Sequence, residues 1–153
     1  MLRLRAVERK GPPFPHGLAG DKTITIYTLQ PEHTGGIPDF AYGGLLASLI
    51  DCHSAGSASL YLQRKNGNEL GDGTEPPRFV TSTLKVDYKK PAPFGVPLKA
   101  IGTVTEIHPK KYQVNTEVVA NDKLVVTGEV TVVLLPKISG RNSGADEMFG
   151  HRP

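Results

Sequence analysis

The most distinctive stretch of the chain is residues 43–64, GGLLASLIDCHSAGSASLYLQR. This stretch has no proline and is rich in leucine, alanine and serine, so it predicts a helix about 33 Å long at 1.5 Å per residue. Between Gly43 and Gln63 the only formally charged residue is Asp51. A helix that is apolar on nearly all sides is typical of one buried within a domain. We therefore expect other structure to wrap around it.

The flanking segments alternate with period two, the pattern of strands that bury one face. One strand is predicted before the helix and four after it, at 23–29, 79–88, 98–108, 112–120 and 124–135. In the second of these strands, 79–88, the alternation places five residues on one face: Val80, Ser82, Leu84, Val86 and Tyr88. Short connections favour antiparallel neighbours. We predict an α+β domain in which an antiparallel sheet of about five to six strands wraps round one long central helix.

Length and composition fit one domain with peripheral ends. The chain has 153 residues, enough for a single core, and its apolar fraction of 38% is low. We divide it into a lead-in over 1–22, a domain over 23–136 and a tail over 137–153. The net charge of +3 is too mild to predict nucleic-acid binding, but it suits a small polyanionic ligand.

The sequence shows no secretory leader and no apolar run long enough to span a membrane, so we expect a cytoplasmic protein without membrane contact. It also lacks a Cys/His cluster with metal-ligand spacing and a phosphate-binding glycine loop, so neither a metal nor a redox cofactor is predicted. The single cysteine, Cys52, lies between Asp51 and His53. No Cys/His signature surrounds it, and we interpret it as a small apolar helix residue.

Asp51 is the candidate for chemistry. The residues within about 60° of it on a helical wheel are mostly small, namely Ala47, Ser48, Ser54, Ala55, Ala58 and Leu62. The bulky residues Leu45, Leu46, Leu49 and Leu60 lie opposite. A buried carboxylate is costly unless it is satisfied, so this one indicates either a functional group or a hydrogen bond to a neighbouring loop.

Two features flank Asp51. Gly43 and Gly44 begin the helix, where free amides and the helix dipole suit a carbonyl oxygen gaining negative charge, although the pair could simply make a turn. His53 lies about 160° round the wheel, so a dyad with Asp51 in one subunit is not expected. We interpret His53 as a core histidine and leave open a contact with a dimer partner.

The run 36–51, GIPDFAYGGLLASLID, resembles the H-G-G-x-x-x-x-x-x-D signature of hotdog-fold thioesterases of the phenylacetate-degradation, or PaaI-like, group. The run 81–91, TSTLKVDYKKP, resembles that group's strand ending in Y-x-x-P. The resemblance covers roughly residues 23–135. It implies a hotdog fold and a homodimer, often paired again into a tetramer, with the active site at the subunit interface.

The resemblance also implies an acyl-CoA thioesterase, with coenzyme A as part of the substrate. Asp51 matches the family's base or nucleophile, and Gly43 matches the glycine whose amide polarises the thioester carbonyl. Thr81 matches a hydroxyl position that helps hold the water, supplied by the other subunit. Coenzyme A phosphates in the family meet basic residues near strand ends, for which the candidates are Lys89, Lys90, Lys110 and Lys111.

Two positions depart from the family pattern. Tyr42 stands where the family has histidine, and Gly36 falls near a loop position that is often asparagine. A phenol can still donate one hydrogen bond to a carbonyl. These departures favour, as a first alternative, an acyl-CoA-binding or sensor protein without turnover. A hotdog dehydratase or hydratase and a purely structural interaction domain are the further alternatives.

Overall fold

One helix lies against the inner face of a six-stranded antiparallel sheet in the computed structural model, which describes residues 17–19, 22–30, 35, 37–69 and 71–137. The helix is α1, Gly43–Lys65, and it begins at the predicted residue and ends one residue later. The strands are β1 Gly17–Ala19, β2 Lys22–Thr28, β3 Phe79–Tyr88, β4 Pro97–His108, β5 Lys111–Ala120 and β6 Lys123–Leu134. The predicted α+β architecture is confirmed.

The strand order is β1-β2-β4-β5-β6-β3. Strands β4, β5 and β6 form the expected antiparallel meander. Strand β3 pairs with β6 rather than with β4, its neighbour in the chain, and among the described residues no strand pairs with its other side, which forms an edge of the sheet. The sheet also takes in β1, which lies within the lead-in of the sequence analysis. Residues 1–16, 20, 21 and 138–153 fall outside the described residues, and the division into lead-in, domain and tail stays a prediction.

Helix α1 packs closely on the sheet because two strand glycines leave space for it. A Cβ on Gly128 of β6 would overlap Cγ2 of Ile50, and a Cβ on Gly102 of β4 would lie 2.7 Å from Nε2 of His53. Glycine inside a strand often marks such a close approach. Ile50 and His53 are both fully buried there. The two contacts fix the position of the helix residues on either side of Asp51.

His53 is a core histidine, as predicted. Its Nδ1 lies 2.7 Å from Oγ1 of Thr25, and its Nε2 lies 3.3 Å from Oγ1 of Thr23. Oγ1 of Thr23 in turn lies 2.5 Å from Oγ of Ser57. Because the side chain of His53 has no exposed surface, it cannot contact a dimer partner, which was the possibility left open. We call His53, Thr23, Thr25 and Ser57 the buried polar cluster.

A β-bulge in β3 changes which side chains face the helix. The pairing with β6 shifts between Thr81 and Thr83, so Ser82 interrupts the alternation. Before the bulge, Phe79 packs edge-on against Tyr112, with the centroids of the two rings 5.3 Å apart. After it, Val86 packs on the core. The prediction that Val80 and Ser82 share the inner face with Val86 is therefore wrong, because regular alternation cannot anticipate an extra residue.

Candidate active site

Helix α1 keeps one side open in the described chain. Gly44 and Ser48 are exposed on this side, and Asp51, Ala55 and Ser59 are half-buried. Opposite, the bulky residues Leu46, Leu49 and Leu60 are buried, as predicted. The carboxylate of Asp51 therefore projects from a face of small side chains that leaves room for another molecule.

The hydroxyl of Thr81 donates a hydrogen bond to Oδ1 of Asp51, over 2.5 Å. Thr81 reaches the helix because it precedes the bulge in β3 and faces inward with Phe79. Both residues belong to the same chain, whereas the family resemblance implies a Thr81 that is supplied by the other subunit and helps hold the water. With Thr81 on Oδ1, Asp51 is held at a fixed orientation on the open side of α1.

The N-terminus of α1 forms a second polar feature. Tyr42 is the N-cap residue and makes no side-chain capping bond, and the first turn has no acidic residue. The first amides of a helix have no partner within it, so those of Gly43 and Gly44 are available to a ligand. The side chain of Tyr42 is 46% exposed and lies beside Gly44, where a Cβ would be 3.1 Å from its ring.

Tyr88 holds this helix end to the sheet. Its hydroxyl donates a hydrogen bond to the carbonyl oxygen of Gly43 over 2.6 Å. Tyr88, the tyrosine of the Y-x-x-P run, was not among the predicted site residues. The motif was a signal for its importance, although the contact could not be predicted because it joins residues 45 positions apart.

The helix N-terminus and Asp51 are far apart within one chain. Gly43 precedes Asp51 by eight residues, a rise of about 12 Å along a helix. A hydrogen-bond donor and a base that serve the same carbonyl group must each lie about 3 Å from the reacting atoms. One chain therefore does not bring Gly43 and Asp51 to the same carbonyl.

Cys52 does not have the environment of an activated nucleophile. Its side chain is half-buried, and burial together with the neighbouring Asp51 carboxylate raises the pKa of its thiol. Reactive cysteines have lowered pKa values, because the thiolate is the nucleophile. The interpretation of Cys52 as a small packing residue agrees with this environment.

The four candidate lysines fall into two distant pairs. The amides of Lys89 and Lys90 both bond to the carbonyl of Val125 near the start of β6, whereas the carbonyl of Lys110 accepts from Leu134 at the end of β6. Leu134 follows Val125 by nine positions along the strand, a distance of about 30 Å. Lys111 is the neighbour of Lys110. The structure thus does not gather the four lysines into one group.

Gly36, the second departure from the family pattern, lies outside the described residues. Within the described part of the chain, no group of three or more histidine, cysteine or acidic residues is placed to hold a metal ion. Among the same residues, no helix combines the length and apolar character needed to cross a bilayer.

Comparison with known proteins identifies the family. The sequence model of the thioesterase superfamily matches residues 39–127, which include Asp51, Thr81 and the start of α1. A thioesterase superfamily protein from Shewanella loihica PV-4 is 39% identical, with 78% of this chain and 88% of that one covered and a TM-score of 0.62. The architecture is a hotdog fold, and the chain belongs to the thioesterase superfamily. No curated protein sequence matches it.

More distant structures share the fold. The PaaI protein from the phenylacetic acid degradation operon of E. coli is 18% identical over 76% of this chain and 74% of that one, with a TM-score of 0.61. A thioesterase from Haemophilus influenzae is 12% identical over 84% of this chain and 81% of that one, with a TM-score of 0.66. The expected likeness to PaaI is confirmed at the level of the fold.

Proposed function

We propose that this protein hydrolyses the thioester bond of an acyl-coenzyme A, with Asp51 as the group that attacks or activates water. The observation that carries the proposal is the Asp51 carboxylate on the open side of α1, held by the Thr81 hydroxyl. Membership of the thioesterase superfamily supports the reaction class.

Asp51 would act in one of two ways. As a general base it takes a proton from water while the water oxygen bonds to the carbonyl carbon. As a nucleophile it bonds to that carbon itself, and water then hydrolyses the resulting anhydride. Either way the C–S bond breaks, the sulfur takes up the proton, and a carboxylic acid and free coenzyme A leave. The Thr81 hydroxyl positions the carboxylate in both routes.

Negative charge develops on the carbonyl oxygen as the carbonyl carbon is attacked. Uncapped amides at the start of a helix stabilise such a charge, and Gly43 and Gly44 supply them. The phenol of Tyr42, exposed beside Gly44, is a further donor to the same oxygen. Because Gly43 lies about 12 Å from Asp51 along the helix, these donors must come from a second copy of the chain.

The free edge of β3 supports the pairing of two copies. This strand has ten residues and exposes Leu84 and Tyr88, by 41% and 53% of their surfaces. Long exposed edges of this kind tend to pair with another strand. Antiparallel pairing of two β3 strands places the Thr81 end of one beside the Tyr88 end of the other. Since Tyr88 holds Gly43, the helix N-terminus of one copy then approaches Asp51 of its partner.

The first test is the release of free thiol from short, long and aromatic acyl-coenzyme A substrates by wild type and Asp51→Asn. We expect wild-type turnover that falls at least about 100-fold in the variant, or ~2.7 kcal/mol of lost barrier reduction. Glu117→Gln, the same change at an exposed carboxylate on β5, is the matched control and should retain full activity.

An inactive wild type that still binds acyl-coenzyme A would replace this proposal with a binding or sensor protein. Tyr42 is the observation that favours this second candidate, because a phenol stands where the family has histidine. Turnover that survives Asp51→Asn unchanged would remove Asp51 from the mechanism. The hydratase alternative finds no support, since His53 is buried on the sheet side of α1 and away from Asp51.

A further inference from the structure

A separate cleft of about 500 Å³ lies at the C-terminal end of α1. The last turn of α1 borders it, and three further parts of the chain enclose it: residues 66, 68 and 74–78 between α1 and β3, the turn between β4 and β5, and the end of β6 with the segment that follows. Its volume lies within the range of small-molecule sites. Nothing in the Asp51–Thr81 arrangement uses this cleft.

The cleft combines positive charge with an apolar wall. Arg78, Lys110 and Lys137 line it from the three different segments, and Glu75 is the acidic residue among the lining residues. Glu75 lies 3.4 Å from Arg78, so three cations face one carboxylate. Leu62 and Leu134 contribute apolar surface, as do the adjoining prolines. Such a lining suits a ligand with a flat apolar part and more than one negative charge.

We propose that this cleft binds the phosphorylated nucleotide end of coenzyme A. The inference rests on the proposed function, which makes an acyl-coenzyme A the substrate. The adenine ring packs on the apolar wall, where the side-chain amides of Asn66 and Asn68 offer donors and acceptors. The phosphates meet Arg78 and Lys110, and Arg78 offers the paired N–H groups that fit phosphate oxygens.

The position of the cleft relative to Thr81 fits one substrate that spans both sites. Arg78 precedes Thr81 by three residues, about 10 Å along extended chain. The pantetheine arm between the sulfur and the diphosphate of coenzyme A is longer than this when extended. A thioester held at Asp51 can therefore place its phosphates at Arg78 of the same chain.

This assignment separates the four lysines of the sequence analysis. Lys110 lines the cleft, whereas Lys111, Lys89 and Lys90 do not. Lys111 begins β5 beside the buried Tyr112, and strand side chains alternate between faces. Lys110 and Lys111 are thus adjacent exposed lysines, and only Lys110 belongs to the proposed site. This pair supplies a matched control.

The experiment compares Arg78→Gln/Lys110→Gln with wild type and with Lys111→Gln. Calorimetric titration with coenzyme A and with adenosine 3′,5′-bisphosphate should show affinity about 10-fold weaker in the double variant and unchanged in Lys111→Gln. For acyl-coenzyme A the KM should rise by a similar factor with kcat unchanged. For the same acyl group on N-acetylcysteamine, which lacks the nucleotide, both constants should equal those of wild type.

Unchanged affinity for both nucleotide probes in the double variant would overturn the proposal. An equal rise in KM for the N-acetylcysteamine thioester would also overturn it, because the cleft would then hold the acyl group. The proposed function can fail separately. If the wild type hydrolyses no thioester but Arg78→Gln/Lys110→Gln still weakens its nucleotide binding, the assignment of the cleft stands and the proposed function does not. All three substituted residues are exposed, so the variants should fold, and their unfolding temperatures verify this.

Discussion

The hydroxyl of Thr81 on β3 donates to Oδ1 of Asp51 on α1, and both residues belong to one chain. The contact depends on the bulge at Ser82, which turns Thr81 toward the helix. A single strand irregularity thus sets the orientation of the carboxylate.

Replacing Thr81 with valine keeps the shape of the side chain and removes the donor. A hydrogen bond to a charged group contributes about 1.5–3 kcal/mol, so we expect kcat to fall about 10- to 100-fold while KM changes little. Steady-state kinetics on the best acyl-coenzyme A measure this. Thr105→Val, at an exposed position of β4, is the control. Wild-type kcat in Thr81→Val would show that the contact has no role in the reaction.

A mixed dimer tests whether the site is shared between two copies. Gly43→Pro removes the first helix amide, and the Tyr42 backbone at φ −73° and ψ 149° already suits a residue before proline. The added ring would approach Tyr88, which is exposed enough to shift. Each variant alone, Gly43→Pro or Asp51→Asn, should be nearly inactive.

A heterodimer of the two variants, purified through two different affinity tags, then carries one intact site and one with both defects. We expect about half of the wild-type activity per dimer. If each chain instead housed a complete site, both sites of the heterodimer would be defective and no activity would return. Light scattering on the same samples establishes whether the species are dimers or tetramers.

The pH dependence of Cys52 alkylation reports on the neighbouring carboxylate. Burial, and secondarily the charge of Asp51, raises the pKa of this thiol. Both causes favour the neutral thiol, so the midpoint of its reaction with iodoacetamide should lie at higher pH than for an exposed cysteine. In Asp51→Asn the charge is gone and burial remains, so the midpoint should move part of the way down. Glu117→Gln should leave it in place; an identical midpoint in Asp51→Asn would contradict the prediction.

The close packing at Gly128 predicts coupling with Ile50. Gly128→Ala introduces a methyl group that overlaps Cγ2 of Ile50 and should lower the free energy of unfolding by about 1–3 kcal/mol. Ile50→Ala alone should cost about 2–5 kcal/mol. In the double variant the overlap is relieved. The losses in the free energy of unfolding of the two single variants, added together, should therefore exceed the loss of the double variant by at least about 1 kcal/mol. Urea unfolding of the four proteins measures this, and strict additivity would argue against the contact.

Much of the fold followed from local pattern. The start of α1 at Gly43 and both ends of β3 were predicted to the residue, since proline, glycine and side-chain period mark them. The burial of His53 followed from its angle to Asp51 on the helical wheel. These features depend on residues close together in the chain.

The missed features depend on distant residues. The bulge at Ser82 arises from pairing with β6, some fifty residues later, and it decided that Thr81 meets Asp51 within one chain. The contact of Tyr88 with Gly43 and the cleft at Arg78 likewise join segments that no local pattern connects. For the same reason the sequence could not show that Lys110 lines the cleft and that Lys111 does not.

The buried polar cluster also restricts how β2 can align with the helix. If β2 slid by one residue, Thr23 and Thr25 would turn outward and Ile24 inward. His53 would then lose both threonine hydroxyls, and a buried polar group that loses its partner costs about 1–3 kcal/mol. An all-apolar contact would tolerate such slippage, because one aliphatic side chain can replace another. These hydroxyls therefore select one alignment over its nearest competitors, and that selection places Asp51 at a single height along the sheet.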